Sequence, residues 1–170
     1  DLDAAAVREA MTVIRENGVQ GLTEMRAMID LLRADGEPLP ATPPRLSEVD
    51  ALVERIGRPV RLDVSGDVAT LPPAVDLAAY RIVQESLTNA AKHGGAGAVD
   101  VAIDRRDDEI ELTVDSPLGD DRPSELPGAG AGLTGMRERA TMLGGGFWAG
   151  ATETGWRVHV VIPTTHKETA

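Results

Sequence analysis

Cysteine is absent from the chain, which excludes disulfides and thiolate-held metals. Aromatic residues are almost absent too. Tyr80, Phe147, Trp148 and Trp156 complete the set, so any core has to be built from Leu, Val, Ile and Ala. Positive charge is in deficit, with 17 Lys and Arg against 28 Asp and Glu and a net charge of −11. That balance argues against a general binder of nucleic acid or anionic membrane. It does not exclude a small anionic ligand, because helix N-termini, backbone amides and a metal ion can hold one locally. No apolar run approaches a membrane span and no signal peptide is visible, so the default expectation is a cytoplasmic domain. Because the chain opens on Asp1, it is expected to be part of something longer.

Glycine and proline are plentiful, at 18 and 11 residues, and they punctuate the chain. Residues 3–34 carry Val7, Met11, Ile14, Gly18, Gly21, Met25, Met28 and Leu32 at alternating four- and three-residue spacing, the seam of a helical bundle or coiled coil. One helix cannot bury that stripe alone, so pairing with a second copy is expected. Gly36, Pro38, Pro40, Pro43 and Pro44 end it and make a linker of 36–45. A short helix follows, with Ser47 as the expected N-cap and Leu46, Val49, Leu52, Val53 and Ile56 as its apolar face. Alternation predicts strands at 59–64, at Val99–Ile103, at Ile110–Val114 and in a last hairpin of Phe147–Ala149 with Trp156–Ile162. Residues 115–131 have no periodicity and read as a long functional loop. The tail of 165–170 reads as disordered.

Chemistry-bearing residues concentrate in three places. In YRIVQESLTNAAKHG, residues 80–94, the positions Ile82, Val83, Leu87, Ala90 and Ala91 form a buried helix face. Glu85, Asn89 and Lys92 stack on another face at i, i+4 and i+7, and two oxygen acceptors followed by a cation suit a magnesium–phosphate group. Asp115 stands where a strand ends and the loop begins. Finally, GAGAGLTG at 128–135 opens a helix with Gly128, Gly130, Gly132 and Gly135. There the backbone can approach phosphate closely and the helix N-terminus offers unpaired N–H donors. It is neither a P-loop nor a dinucleotide fingerprint, since no Gly-Lys-Ser/Thr follows and no strand precedes.

IVQESLTNAAKHG resembles the N box of two-component sensor histidine kinases, and GAGAGLTGMRERATMLGG resembles their second glycine box. The wording is most similar to the nitrate/nitrite- and desaturase-regulating kinases. The resemblance covers residues 5–163. It implies an α+β fold, a two-layer α/β sandwich of the Bergerat type shared by gyrase, heat-shock chaperone, histidine kinase and mismatch-repair ATPases, preceded by a long N-terminal helix. The implied organisation is residues 1–35 as the second helix of a dimerisation hairpin, with Arg26 and the LLR at 31–33 as its marks, and 46–164 as the catalytic ATP-binding domain. Carried over, Asn89 is the Mg²⁺ ligand and Glu85 the acid that orders metal-bound water. Lys92 and His93 lie near the phosphates of ATP, and Asp115 accepts the adenine amino group, with Gly119 in its glycine box. Gly130, Gly132, Leu133 and Gly135 close the lid over the triphosphate.

Three departures from the family pattern stand out. Asp115-Ser116-Pro117-Leu118-Gly119 replaces Asp-x-Gly-x-Gly, and Gly155-Trp156 replaces a final Gly-Thr. The phosphoacceptor histidine is missing, because only His93, His159 and His166 are present. The expected activity is therefore transfer of the γ-phosphoryl of ATP to a histidine on a helix supplied elsewhere, passed on to a response regulator with helix-turn-helix output. The alternatives are a docking module with little or no kinase activity, and an anti-sigma-type serine kinase on the same fold.

Overall fold

The computed structural model of the protein describes residues 42–118 and 129–165, the first three of the second stretch by backbone alone. The helix expected over 3–34, most of the 115–131 loop and the tail from 166 lie outside the described residues, as does Gly119.

The first element is a single 3-10 turn, Leu46–Glu48, running into α1, Val49–Arg55. Ser47 does not cap it. The Leu46 amide donates instead to Asp76 Oδ1 at 2.6 Å, and Arg45 Nε donates to Asp76 Oδ2 at 2.9 Å. Asp76 is only 4% exposed. A buried carboxylate from another helix thus does what the local sequence assigned to a serine, and staples α1 to its neighbour.

That neighbour is α2, Pro73–His93, a 21-residue helix that begins on a proline, where a missing N–H costs nothing. It crosses between β1, Val60–Ser65, and β2, Val99–Arg105, which pair in parallel; parallel neighbours need such a crossover. A turn then joins β2 to β3, Glu109–Ser116, in an antiparallel hairpin. After the loop comes α3, Ala129–Met142, which starts within the glycine-rich 128–135 stretch and stops before Gly144, where φ is +74°. β4, Gly146–Ala151, and β5, Trp156–Pro163, complete a five-stranded sheet in the order β1-β2-β3-β5-β4.

Alternation divides the sheet into two faces. Val99, Val101, Ile103, Ile110, Leu112, Val114, Val158, Val160 and Ile162 are buried in one core with Ile82, Val83 and Leu87 of α2 and Met136 and Ala140 of α3. All the helices therefore cover one face, and the two-layer sandwich expected from the sequence is what forms. The core is aliphatic, with Tyr80 its one fully buried aromatic among the described residues. Ala91, expected on the buried face of α2, is exposed; it lines an open cavity at the end of the helix, beside Ile56.

The other face is open and charged. Register lines up Arg61, Asp100, Asp115 and Arg157 across four strands, and Asp63, Ala102, Thr113, His159 and Trp148 across five. Arg61 pairs with Asp100, and Arg106 gathers Asp104, Glu109 and Glu111.

Candidate nucleotide site

The site is built where α2 and α3 meet. Ile82, Val83, Leu87 and Ala90 sink into the core, and the same helical phase leaves Glu85 and Asn89 half-buried along the side of α2. α3 is held against that side. Met136, fully buried, comes 3.4 Å from the Ser86 hydroxyl, which itself donates to the Ile82 carbonyl at 2.7 Å. On the far side, the Arg137 guanidinium stacks 5.0 Å above the Phe147 ring and ties α3 to β4.

This packing brings Gly132, in the first turn of α3, directly onto the acceptor pair. A Cβ at Gly132 would overlap Glu85 Oε1, and would stand 3.1 Å from Glu85 Cδ and 3.5 Å from Asn89 Nδ2. Only glycine fits that approach with Glu85 where it is. Two motifs separated by more than forty residues in the chain therefore form one locus: a carboxylate, an amide and the N-terminal turn of a helix. Gly130 lies in the same turn, Leu133 packs partly against the core, and Gly135 faces its own helix, where a Cβ would stand 3.3 Å from Arg139.

Lys92 and His93 are exposed in the last turn of α2, where positive charge is favoured by the helix dipole. Among the described residues no group of three His, Asp or Glu forms a metal cage. Magnesium does not need one, since it keeps waters and takes phosphate oxygens when it is bound with nucleotide.

Residues 74–166 match the family described as histidine kinase-, DNA gyrase B- and HSP90-like ATPases. The chain belongs to this family. Among curated relatives, it is 34% identical over 119 residues to the sensor histidine kinase YxjM of Bacillus subtilis, covering 68% of this chain and 29% of the relative. It is 31% identical over 161 residues to the histidine-protein kinase/phosphatase UhpB of Salmonella typhimurium, covering 93% of this chain and 28% of the relative. The chain thus spans under a third of the length of these two relatives. The fold is shared with the blue-light activated histidine kinase of Erythrobacter litoralis EL346 (TM-score 0.56, 23% identity, 73% of this chain and 42% of that one). It is also shared with the catalytic domain of histidine kinase ThkA (TM-score 0.51, 16% identity, 71% and 89%). ATP is the ligand this ATPase family implies.

Within this ATPase domain Asp115 is not brought to Glu85 and Asn89. β3 alternates, and Ile110, Leu112 and Val114 point to the helices, so Asp115 points to the open face. There Arg157 donates to both of its oxygens, at 2.7 and 2.8 Å. The residue on the helix-facing side at the end of β3 is Ser116, 9% exposed. The adenine-acceptor role that the resemblance gives Asp115 does not fit a side chain turned away from the helix layer and already paired.

The start of the loop is anchored on the end of α2. Gly95 N–H donates to the Pro117 carbonyl at 2.8 Å, and Gly94 bridges to Leu118. Gly97, with φ +127°, lies where a Cβ would come 3.2 Å from Pro117 Cγ, so the proline that departs from the family pattern has a glycine to receive it. Gly155 is held against the Ser116 backbone, where its Cβ would overlap the Ser116 carbonyl oxygen.

Proposed function

We propose that this chain is the ATP-binding catalytic part of a sensor histidine kinase of the nitrate/nitrite- and desaturase-regulating type. The observation that carries the reading is the close approach of Gly132 to Glu85 and Asn89. A half-buried carboxylate and amide, with a helix turn that tolerates no side chain against them, fit a hydrated Mg²⁺–phosphate group. Asn89 Oδ1 would be the direct ligand and Glu85 would hold a metal-bound water. The ion supplies neutralisation of triphosphate charge.

The chain's own residues do the rest. The first turn of α3, through Gly130 and Gly132, presents N–H donors to the phosphates. Lys92 brings positive charge to the exposed end of α2, with His93 beside it. The γ-phosphoryl then passes in line to a histidine nitrogen on a helix outside this chain, the new N–P bond forming as the bridging P–O bond breaks and ADP leaves. His159 is held on the open sheet face beside Thr113, 3.2 Å from its hydroxyl, and His93 belongs to the nucleotide box, so neither serves as acceptor. A response regulator with helix-turn-helix output, a cytoplasmic setting and pairing of two copies through residues 3–34 belong to the same reading. No helix among the described residues is long and apolar enough to cross a membrane.

The pairing of Asp115 with Arg157 favours a second reading, a docking module whose base-binding end lacks a free carboxylate and which holds ATP weakly. One titration separates the two. Calorimetry with ATP, with and without Mg²⁺, is expected to show Mg²⁺-dependent binding that Asn89→Ala abolishes while the thermal melt stays in place. No binding by the wild-type chain supports the docking module, and equal affinity in wild type and Asn89→Ala removes Asn89 from the site.

A further inference from the structure

Arg58, on the loop between α1 and β1, has a guanidinium that reaches three backbone carbonyls at the far end of α2. One Nη donates to Ala90 O; the other donates to Gly95 O at 2.8 Å and Gly97 O at 3.0 Å. Ala90 O belongs to the last turn of α2, where it already accepts the Gly94 amide at 2.9 Å and where a cation is favoured by the dipole. Gly95 and Gly97 belong to the loop that follows. That same loop holds Pro117 and Leu118 at the root of the 119–128 segment.

We propose that Arg58 is a positioning residue for the nucleotide site. A single side chain fixes the last turn of α2, which carries Lys92 and His93 only one turn beyond Asn89, and at the same time fixes the strip that holds Pro117 and Leu118. Close packing supports this: a Cβ at Gly94 would overlap Ala90 O and come 2.9 Å from Arg58 Nη1, so the glycine after α2 leaves room for the guanidinium. The bidentate fork matters, because a Lys ammonium cannot span carbonyls on both the helix and the loop in one plane. The inference rests on the ATP-binding reading for its consequence in affinity, but not for its geometry.

Arg58 also lines an open cavity of about 430 Å³ at the end of α2, which makes chemical rescue practicable. In Arg58→Ala, which removes the hydrogen bonds to Ala90 O, Gly95 O and Gly97 O, hydrogen exchange at the Gly94 and Gly95 amides is expected to accelerate on the order of tenfold or more, while amides of β3 and β5 hold their rates. ATP–Mg²⁺ affinity is expected to fall by a similar factor, and low-millimolar guanidinium, but not urea, to restore both. Arg58→Lys keeps a long stem and the charge but lacks the planar fork, and is expected to fall between. Unchanged exchange at Gly94 and Gly95, acceleration spread over the whole sheet, or failure of guanidinium to restore it would overturn the assignment. So would local acceleration with unaltered ATP affinity. If the wild-type chain binds no ATP, the functional reading fails, and the exchange and rescue data still decide whether Arg58 clamps the end of α2.

Discussion

Consider Gly132→Ala. The added methyl overlaps Glu85 Oε1 and comes 3.1 Å from Glu85 Cδ, while Asn89 Nδ2 at 3.5 Å is in ordinary contact, and the overlapped atom is the far end of a flexible side chain. Glu85 can rotate away at a cost of about 0.5–1.5 kcal/mol if it leaves its rotamer. Against this, alanine in place of glycine within a helix gains about 1 kcal/mol. The two terms nearly cancel, so the melting temperature is expected to stay within a few degrees of wild type. Ligand binding has no such offset. A displaced Glu85 loses its hydrogen bond to a charged ligand, worth about 1.5–3 kcal/mol, or roughly ten- to a hundredfold in Kd. Calorimetric titration with ATP–Mg²⁺ beside a thermal melt reads both quantities on one preparation. Gly146→Ala is the control, since no atom lies within 4 Å of a Cβ there. An affinity within twofold of wild type would refute the placement of the ligand between α2 and α3. A large loss of stability would refute the argument that only the tip of Glu85 has to give.

The remaining predictions test other parts of the same structure. Asp115→Asn is expected to leave the preference for ATP over GTP unchanged and to lower stability by at most about 1 kcal/mol, as for an exposed ion pair; competition binding and urea melts check this. Asp76→Ala leaves the buried Leu46 amide without its acceptor, while the half-exposed Arg45 keeps the Ala69 carbonyl, and is expected to cost about 1–3 kcal/mol, read as a shift in the urea midpoint. Arg61 beside Asp100, and Ser65 with Arg106 beside Asp104, hold both carboxyls below the usual aspartate range. Depressed folded values contribute stability above the unfolded pKa that is lost as pH falls, so urea midpoints are expected to drop below about pH 4. Because the groups are exposed, added salt should shrink the drop; a midpoint that rises on acidification would contradict the pairing.

Much of this arrangement was legible in the residue pattern, and where it was not the reasons are specific. Strand alternation and the apolar phase of residues 80–94 are local properties, and they reproduce the sheet and α2 because burial on one face decides both. Glycines at 94 and 144 mark real helix ends. The face of Asp115 was also encoded, because Ile110, Leu112 and Val114 fix the parity of β3 and put residue 115 on the opposite side; the family wording outweighed that parity. The start of the Leu46–Glu48 turn that leads into α1 was not legible from Ser47, since the carboxylate that takes the Leu46 amide, Asp76, lies on another helix. Arg58 left no signal either, its acceptors lying 32, 37 and 39 residues further along the chain.

The parallel pairing of β1 with β2 has a consequence for the route by which the protein folds. β2 and β3 meet through a short turn, and a hairpin of that kind forms in about 1–10 µs. β1 has no such shortcut. Its first cross-strand partners lie 39 residues away, and the whole of α2 must be compacted before that closure is rewarded. The helix carrying Glu85 and Asn89 is therefore also the strap that delivers β1 to the sheet. Substitutions at Ile82 or Leu87 on its inner face would slow that delivery, whereas changes at Glu85 or Asn89 leave it untouched. The ligand face is thereby free to diverge without a kinetic penalty on assembly.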